Sequence, residues 1–562
     1  VGLPRCPHPA RRNRALPGRH THPVAGRGGN SMTASAPVHS PLPHRVWDAA
    51  SVIAVVVLAV TSSLRQEDIR FWDESLYLER GLTLGFGSQP GWEWNPLYTD
   101  MYWLLGRFFS DPIDLYFAGR ASAAALLVLA VWWSLRLFTR PSIALAGGLV
   151  AAALPITYVW PGVSSPSAGF LLLALAIAWR WRSPGAYAAA SAVVWLAAAT
   201  RPEFVWPALI VTIVAAVSLT IAITKHRITT RAAAGAAAAI IAIPAILAIG
   251  YGNPTELGTR SWEAFEQHYE LRFATEADDP WQIDADVVGR DFPGASSIPA
   301  AAATNPGAFA THVARNTITL PLSAGGHFLG LGGDSRTQNA LGVATALVWV
   351  VSLALALIRP AVPIRETIRR IWRAITARSS RGALAITLIT FAAALVSTFV
   401  IYPRPHYLTF LIGGLIIATG YLLDRLGNAS WLRWFPSLLV ALVGVATFII
   451  NVVALTDNQD SDKPFAASLR AMNTASTQWR ILTPERPLDL YLTNGRQILE
   501  PGQDATTFTE LLDANNVNAI FDGILVRQAD YASLDGFEEF LANPEAFGFT
   551  SIIPESPFLI RQ

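Results

Sequence analysis

Two adjacent carboxylates, Asp73 and Glu74, stand in the segment FWDESLY (71–77), directly after the first long apolar run of the chain. Acids are costly inside a bilayer, so such a pair must lie at the edge of a membrane or just beyond it. An ionised aspartate there can act as a general base toward a hydroxyl group. The alternative is that both residues are ordinary solvated loop acids.

Further candidate residues lie at the ends of other apolar runs. Guanidinium groups can hold a phosphate through paired, charge-assisted hydrogen bonds, and aromatic side chains suit a lipid surface. The candidate cations are Arg120, Arg201 and Arg404, and the candidate groove residues are Trp72, Asn95, Tyr98, Glu203, Tyr402, His406 and Tyr407. Such a set suits a substrate with a charged head and an apolar tail. The alternatives are a snorkelling anchor for Arg201, a polar interface residue for His406, and an aromatic belt for the tryptophans and tyrosines.

The composition is that of a membrane protein. Of the 562 residues, 52% are hydrophobic and 15% are charged, and the mean hydropathy is +0.36. Typical soluble domains carry about 25% charged residues. Cys6 is the only cysteine, which excludes a disulfide framework and a cysteine-based metal site. We expect no nucleic-acid partner.

The first 45 residues hold seven arginines and no acids, together with many Pro, Gly and His residues. Such a segment buries too little apolar surface to fold, so we expect 1–45 to be a disordered, basic, cytoplasmic N-terminus. Met32 is an alternative start of the protein, with residues 1–31 then untranslated.

Eleven runs are long and apolar enough for transmembrane helices, which need roughly 20 mostly apolar residues. They are 46–64, 116–138, 142–160, 166–180, 185–200, 204–224, 232–251, 338–358, 383–401, 406–423 and 435–455. A twelfth candidate, 95–109, is short and carries Asp100 and Arg107. With eleven spans and a cytoplasmic N-terminus, the short basic loops all lie on the cytoplasmic side, as the positive-inside rule requires. Counting 95–109 as a span would place all these basic loops on the outer side of the membrane. We therefore expect 95–109 to form a helix that lies in the outer membrane interface.

Three large segments are therefore predicted outside the membrane: 65–115, 252–336 and the tail 456–562. The second holds eleven acids against five bases, and the tail holds sixteen against seven, in keeping with an outer location. The membrane domain between the termini is predicted to cover 46–455.

The tail 456–562 is predicted to be a small extracytoplasmic α/β domain. Its predicted strands are 488–493 and 518–526, and its predicted helices are 506–516 and 532–547.

The spans carry few charged side chains. The runs 143–160, 166–178, 232–251 and 338–358 contain no acidic or basic residue. Ion-coupled transporters usually keep acids or bases near the middle of the membrane. The pattern favours chemistry at the membrane surface over transport through the bundle.

Three motifs follow one another in the first quarter of the chain. They are Asp73-Glu74, Pro96-Leu97-Tyr98, and Arg120 at the start of a span. In this order they resemble the GT-C class of membrane glycosyltransferases, most closely the branch of protein O-mannosyltransferases and bacterial aminoarabinose transferases. Stretches similar to 199–204 and 404–408 also recur at outer span boundaries in that branch. The resemblance covers about the first 225 residues, and the later spans by architecture alone.

The resemblance implies inverting transfer of a sugar from a polyprenyl-phosphate donor to an acceptor hydroxyl outside the membrane. Asp73 would be the general base with Glu74 supporting it, and the three arginines named above would hold the donor phosphate. The sugar would be a hexosyl or pentosyl group, such as mannose or arabinose. The acceptor would be a protein, a lipid or a glycan of the cell envelope, and the enzyme a multi-pass protein of the cell membrane.

Several alternatives stay open. The scheme requires no cofactor, but Asp73, Glu74 and the acids of 252–336 could bind a divalent cation, as in the oligosaccharyltransferase branch. A flippase or exporter of lipid-linked sugars would need a polar path through the bundle, and a non-catalytic scaffold would only display the C-terminal domain. The predicted fold is a mainly α-helical, GT-C-like polytopic membrane protein with about eleven transmembrane helices and a small C-terminal α/β domain.

Overall fold

A computed structural model gives the fold of the chain. It describes residues 42–66, 68–84, 90–254, 260–273, 286–331, 336–358, 360, 362–426, 463–499, 505–523, 526 and 529–561. The chain falls into two units, Val1–Val46 and Trp47–Gln562. The predicted disordered segment 1–45 lies outside the described residues, except that residues 42–45 belong to the first helix.

Most of the described chain is α-helical, as predicted. In chain order the helices are α1 (Leu42–Gln66), α2 (Asp73–Thr83), α3 (Pro96–Leu105), α4 (Pro112–Arg136), α5 (Pro141–Ala153), α6 (Ser164–Trp181), α7 (Pro184–Thr200), α8 (Val205–Thr224), α9 (Thr230–Tyr251), α10 (Arg260–Glu270), α11 (Asp286–Asp291), α12 (Ile298–Thr304), α13 (Pro306–Phe328), α14 (Arg336–Ile358), α15 (Ile364–Thr376), α16 (Arg381–Val400), α17 (Pro405–Leu426), α18 (Pro464–Thr474), α19 (Phe508–Ala514) and α20 (Phe537–Ala542).

The long apolar runs form the helical bundle. Each predicted span from 46–64 to 406–423 except 142–160 coincides with a helix, and the span predicted at 435–455 lies outside the described residues. By length and composition, six helices among the described residues can cross a membrane, so the chain is a multi-pass membrane protein. Their common core contains many alanines, which let helix backbones approach closely.

The run predicted as one span at 142–160 is divided in the structure. Helix α5 ends at Ala153, Leu154 is extended, and Pro155–Tyr158 form a 3-10 turn. Proline disfavours a helical conformation in the residue before it and lacks the N–H that would continue the helix. The prediction of a continuous span is therefore wrong in its second half.

Helices α2 and α3, which come between α1 and α4 in the sequence, pack against each other. Helix α3 lies within the predicted interface helix 95–109. It begins at Pro96, a residue suited to the first helical position, and is preceded by Asn95 in the left-handed conformation with φ 52°.

Helix α13 covers the end of α16. The His312 Nε2 atom lies 3.0 Å from the carbonyl oxygens of Val400 and Ile401, and Asn316 Nδ2 donates to the Phe399 carbonyl at 2.9 Å. The last carbonyls of a helix have no partner within the helix, so these side chains satisfy them. This contact fixes the stretch that leads from α16 to α17.

The C-terminal segment of the chain contains a five-stranded sheet with three helices, and we call it the C-terminal domain (463–561). The strands are β1 (Trp479–Leu482), β2 (Gly495–Ile498), β3 (Ala519–Phe521), β4 (Phe549–Ser551) and β5 (Phe558–Arg561). Their order is β2-β1-β3-β5-β4, with β1 parallel to β2 and β3, and β5 antiparallel to β3 and β4. The predicted α/β character of the tail is confirmed.

Two of the predicted strands in the tail need correction. The run 488–493 is not a strand: Asp489–Tyr491 form a 3-10 turn, and the strand follows at β2. Its alternating leucines suggested a strand, but Leu488 and Tyr491 are instead buried in the core between the tail and the first outer loop. Among the described residues of the run 518–526, β3 is the part that forms a strand.

The C-terminal domain packs directly on the segment between α1 and α4. The Phe71 ring makes edge-to-face contacts with Phe465 and Phe521, with ring centroids 4.9 and 5.5 Å apart. The Asp68 carboxylate accepts hydrogen bonds of 2.7 and 3.0 Å from the backbone N–H groups of Phe465 and Ala466, at the start of α18. The segment FWDESLY is thus held by residues from the far end of the chain.

Candidate active site

Asp73 is the first residue of α2, and the backbone before it is unusual. Trp72 has φ 67° and ψ −128°, a conformation that costs a bulky residue about 1–3 kcal/mol unless its surroundings hold it. Here the Trp72 N–H donates to the Arg486 carbonyl at 2.9 Å, and its indole N–H donates to the Glu485 carboxylate at 2.7 Å. The C-terminal domain therefore fixes the backbone directly before Asp73.

Ser75, two residues after Asp73, makes a second bond between α2 and the C-terminal domain. The hydroxyl groups of Ser75 and Tyr491 lie 2.6 Å apart, and Ser75 also donates to the Arg70 carbonyl at 3.0 Å. Both hydroxyls are buried, and burial raises the pKa of Tyr491 well above its usual value, so the phenol keeps its proton. The first turn of α2 is thus anchored on both sides of Asp73.

Glu74 is fully buried, although it neighbours the half-buried Asp73. One oxygen of its carboxylate accepts hydrogen bonds from the hydroxyls of Tyr98 and Tyr102, and the other accepts the Gly162 N–H at 2.7 Å. We call these residues the Glu74 network. Burial, together with the nearby Glu74 charge, raises the pKa of both tyrosines well above the usual value, so they remain donors.

Two glycines make room for the Glu74 network. A Cβ atom on Gly119 of α4 would lie 2.3 Å from the Tyr102 ring, and one on Gly162 would lie 2.7 Å from the Tyr98 hydroxyl. Glycine therefore permits the close approach of α3 to α4 and of the 160–163 turn to Glu74. The network ties α2, α3, α4 and the start of α6 into one unit.

Two of the predicted site residues belong to this buried region. Arg120 is buried, donates to the Tyr158 carbonyl at 2.5 Å, and lies near enough to Tyr98 to affect its pKa. Asn95 is also buried and donates to the Tyr77 hydroxyl at 2.5 Å. The structure thus separates Arg120, Asn95 and Tyr98 from the more open residues of the predicted set.

Four of the other predicted residues, Arg201, Glu203, His406 and Tyr407, line a small cavity. It lies between the starts of α6 and α17, the turn between α7 and α8, and the end of α16. Its lining is Ser164, Ser167, Ala168, Leu171, Arg201, Glu203, Phe204, Ala394, Ser397, His406, Tyr407 and Phe410. We call this the Arg201 pocket. The space that the centre of a water molecule can occupy in this pocket is about 20 Å³, so the pocket has room for one water molecule.

Arg201 is the central cation of this pocket. Its guanidinium group forms an ion pair with Glu203, donates to the Ser164 hydroxyl at 2.6 Å, and lies 4.9 Å from the centroid of the Tyr407 ring. The side chain is 13% exposed, so the charge is largely enclosed. A snorkelling side chain would place its charged end in water, so the alternative of a simple anchor is not supported.

Arg404 links the Arg201 pocket to Asp73. Burial lowers the pKa of the Arg404 guanidinium, and the nearby Tyr407, Asp73 and Tyr402 oppose that shift. Asp73 is therefore near enough to Arg404 for its charge to act on the guanidinium group. A carboxylate and two guanidinium groups thus come together at one end of the bundle, from segments far apart in the sequence.

His268 from α10 joins this cluster, and sequence reasoning missed it. Its ring stacks on Tyr402 with centroids 5.9 Å apart and makes an edge contact with Tyr407 at 6.5 Å. Burial and then the Arg404 charge lower the pKa of His268 to about 3, so the imidazole is neutral at physiological pH. Its Nδ1 faces the Ala264 carbonyl, which can only accept, so Nδ1 carries the hydrogen and Nε2 is an acceptor.

The positions of the predicted residues now divide into four groups. Arg201, Glu203, His406 and Tyr407 line the Arg201 pocket. Arg404 lies close enough to Tyr407, Asp73 and Tyr402 for these groups to act on its pKa. Glu74, Asn95, Tyr98 and Arg120 lie in the buried region, and Trp72 turns toward the C-terminal domain. Ser164 and His268 are additions that the sequence did not indicate. No local motif marks either residue, since each is placed only by the packing of distant helices.

A metal site is not formed by the residues that the structure describes. Among them, no group of three or more His, Cys, Asp or Glu side chains is arranged to hold a metal ion. Both oxygens of Glu74 are engaged by hydrogen-bond donors, which leaves Asp73 as the only accessible carboxylate of the predicted pair. Several acids of 252–336, among them Glu276 and Asp278, lie outside the described residues.

No protein-family model and no curated protein sequence matches the chain. Among solved structures, the chain is similar to ArnT from Cupriavidus metallidurans in the apo state, over 92% of this chain and 98% of that one, with 15% identity and a TM-score of 0.41. The same ArnT bound to undecaprenyl phosphate matches over 93% and 98%, with 15% identity and a TM-score of 0.40.

The apo oligosaccharyltransferase of Archaeoglobus fulgidus is also similar, over 86% of this chain and 70% of that one, with 11% identity and a TM-score of 0.41. These are structures of GT-C glycosyltransferases, the class that the sequence resembles. At such identities and TM-scores the likeness assigns no role to any residue of this chain.

Proposed function

We propose that the protein is a glycosyltransferase that moves a sugar from a polyprenyl-phosphate donor to an acceptor hydroxyl at the outer face of the membrane. The observation that carries this proposal is the meeting of Asp73, Arg404 and the Arg201 pocket at one end of a helical bundle. A general base beside two enclosed guanidinium groups is what sugar transfer with a phosphate leaving group requires.

The proposed reaction is a single displacement. The acceptor oxygen forms a bond to the anomeric carbon as the bond from that carbon to the phosphate oxygen breaks, with inversion of configuration. The acceptor proton passes to Asp73, and the bonding electrons leave with the lipid phosphate. Glu74 holds the helix that carries Asp73 and does not itself touch the substrate.

Arg404 and Arg201 are the proposed partners of the phosphate. The leaving group gains negative charge during the reaction, so fixed cations lower the barrier most where that charge develops. Arg201 is already oriented by Ser164 and Glu203, which would preserve its geometry as the donor binds. The buried position of Arg120 supports a structural role for that residue instead.

The donor lipid would lie along the apolar surface of the bundle beside the Arg201 pocket, because the pocket has room for one water molecule and its apolar residues Leu171, Phe204 and Phe410 are buried. Each buried CH₂ group contributes roughly 0.8 kcal/mol, so a polyprenyl chain would supply much of the affinity.

The test uses the full-length protein in nanodiscs, with a panel of polyprenyl-phosphate sugars and an envelope extract as the source of acceptors. Release of polyprenyl phosphate is measured for wild type and for Asp73→Asn, which keeps the side-chain size and removes the base. We expect the variant to lose roughly 10²–10⁴-fold in rate. Undiminished release from Asp73→Asn, at normal protein levels, would remove Asp73 from the mechanism.

A further inference from the structure

Helix α15, with the sequence IRETIRRIWRAIT, has two sharply different faces. At 100° per residue, Ile364, Ile368, Ile371, Trp372 and Ile375 fall on one side of the helix. The arginines Arg365, Arg369, Arg370 and Arg373 fall on the other side.

The apolar face of α15 is largely uncovered. Ile368 is 61% exposed and Trp372 is 65% exposed, and Ile364 is exposed as well. Helix α15 contacts α16 and α17, and Thr367 is the one residue of the helix that is buried. A row of exposed isoleucine and tryptophan at i, i+4 and i+8 is unfavourable in water.

The polar face of α15 is strongly basic. Four arginines stand against the single acid Glu366, a net charge of +3 from 4 − 1. Glu366 pairs with Arg369 and, at 2.9 Å, with Arg370, yet both guanidinium groups remain mostly exposed. The next residues of the chain add Arg378 and Arg381, so the positive charge continues to the start of α16.

The position of α15 places this face at the level of a membrane surface. The helix lies between α14 and α16, and α16 belongs to a segment long and apolar enough to cross a membrane. The opposite end of α16 leads to Arg404, and its 20 residues span about 30 Å. Helix α15 therefore lies at the end of the bundle away from the Arg201 pocket.

We propose that α15 lies in the surface of the leaflet opposite the Arg201 pocket, where it binds anionic phospholipids. Its isoleucines and Trp372 enter the boundary between headgroups and acyl chains, and its arginines contact the lipid phosphates. This arrangement combines the two forces that hold interfacial helices, apolar burial and attraction to anionic headgroups. It is independent of the proposed sugar transfer.

The position of the helix can be tested with two matched labels. In a Cys6→Ser background, which removes the only native cysteine, Ile368→Cys and Arg373→Cys are each labelled with an environment-sensitive fluorophore. The full-length protein is placed in nanodiscs of phosphatidylcholine and phosphatidylglycerol. We expect acyl-chain nitroxide lipids to quench the label at 368, and aqueous acrylamide to quench the label at 373.

Two outcomes would overturn the proposed position. Equal access of acrylamide to both labels would show that the helix stands in water. Protection of the label at 368 from both the lipid quencher and acrylamide would show that another protein surface, such as a second copy of this chain, covers it.

Headgroup preference is tested by comparing quenching at 368 by nitroxide-labelled phosphatidylglycerol and phosphatidylcholine in the same mixed bilayer. We expect stronger quenching by the anionic lipid, with a preference on the order of fivefold per engaged arginine. Arg365→Gln with Arg373→Gln should reduce this preference markedly, and the matching Lys variants should retain it. Equal quenching by the two lipids in wild type would refute the proposed preference for anionic lipid.

Discussion

The indole N–H of Trp72 donates a 2.7 Å hydrogen bond to the carboxylate of Glu485, a residue 413 positions later in the chain. Because Trp72 immediately precedes Asp73 and holds a positive φ, this bond acts on the backbone from which the proposed base projects. The C-terminal domain thus contributes to the site by positioning, without placing a side chain in the Arg201 pocket.

Breaking this bond should slow the reaction while leaving donor binding intact. We expect Trp72→Phe and Glu485→Leu, which remove the donor and the acceptor of this bond, each to reduce kcat for polyprenyl-phosphate release by about tenfold, with little change in KM, since a hydrogen bond to a charged group is worth about 1.5–3 kcal/mol. Because the two residues act through one contact, the double variant should be no slower than the slower single variant.

Trp94→Phe is a suitable control for this experiment. It breaks an exposed indole–carboxylate bond of similar length, 2.8 Å, between Trp94 and Glu93, which does not involve the C-terminal domain. Additive losses in the double variant, or an equal loss in Trp94→Phe, would contradict the positioning role of Trp72.

Amide substitution at Glu74 should lower the free energy of unfolding much more than amide substitution at Asp73. Glu74→Gln leaves buried donors without their carboxylate partner, so we expect unfolding free energy to fall by about 1–3 kcal/mol. Asp73→Asn changes a half-buried residue and should stay within about 0.5 kcal/mol of wild type. Thermal unfolding in detergent micelles measures both, and similar shifts for the two variants would argue against the separate roles.

The close approach of α3 and α4 predicts a severe effect of one added methyl group. In Gly119→Ala the new Cβ would lie 2.3 Å from the Tyr102 ring, which must move away from Glu74. Such overpacking typically costs about 1–3 kcal/mol. Gly185→Ala is the matched control because nothing lies within 4 Å of its Cβ position, and it should be neutral or slightly stabilising. Equal melting temperatures for the two variants would contradict the packing described here.

The buried His268 should make stability depend on pH. Its pKa is about 3 in the folded protein and near 6.5 in the unfolded chain, so between these values the unfolded state binds more protons. Stability should therefore decrease as the pH falls from about 6.5 toward 3. We expect the melting temperature of His268→Gln to depend less on pH than that of wild type between pH 5 and about 6.5. Parallel curves would show that His268 does not contribute.

The sequence predicted the positions of the helices well, but it did not predict that Glu74 is fully buried while Asp73 is only half-buried. Long apolar runs specify helices on their own, so their positions follow from composition. Adjacent residues on a helix point about 100° apart, so one carboxylate can be half-exposed while its neighbour is fully buried. Which of the two is buried depends on Tyr98, Tyr102 and Gly162, and the last of these is 88 positions away.

Residues brought in by packing between distant segments could not be predicted. His268 reaches the cluster because α10 packs beside the stretch between α16 and α17, and no sequence motif marks that contact. Arg120 begins a span in the sequence, but the turn at Pro155–Tyr158 encloses it, which the prediction of an unbroken span did not allow for.

The hydrogen bond from Trp72 to Glu485 also has a consequence for the order in which the site is assembled during synthesis of the chain. At roughly 5–20 residues per second, a ribosome needs about 20–80 s to add the 413 residues between them. During that interval α2 and α3 have already been synthesised, but Glu485, which binds the residue before α2, has not. In a nascent chain the bond to Trp72 can form only after residue 485 has been synthesised, and a chain that ends before that residue lacks the bond.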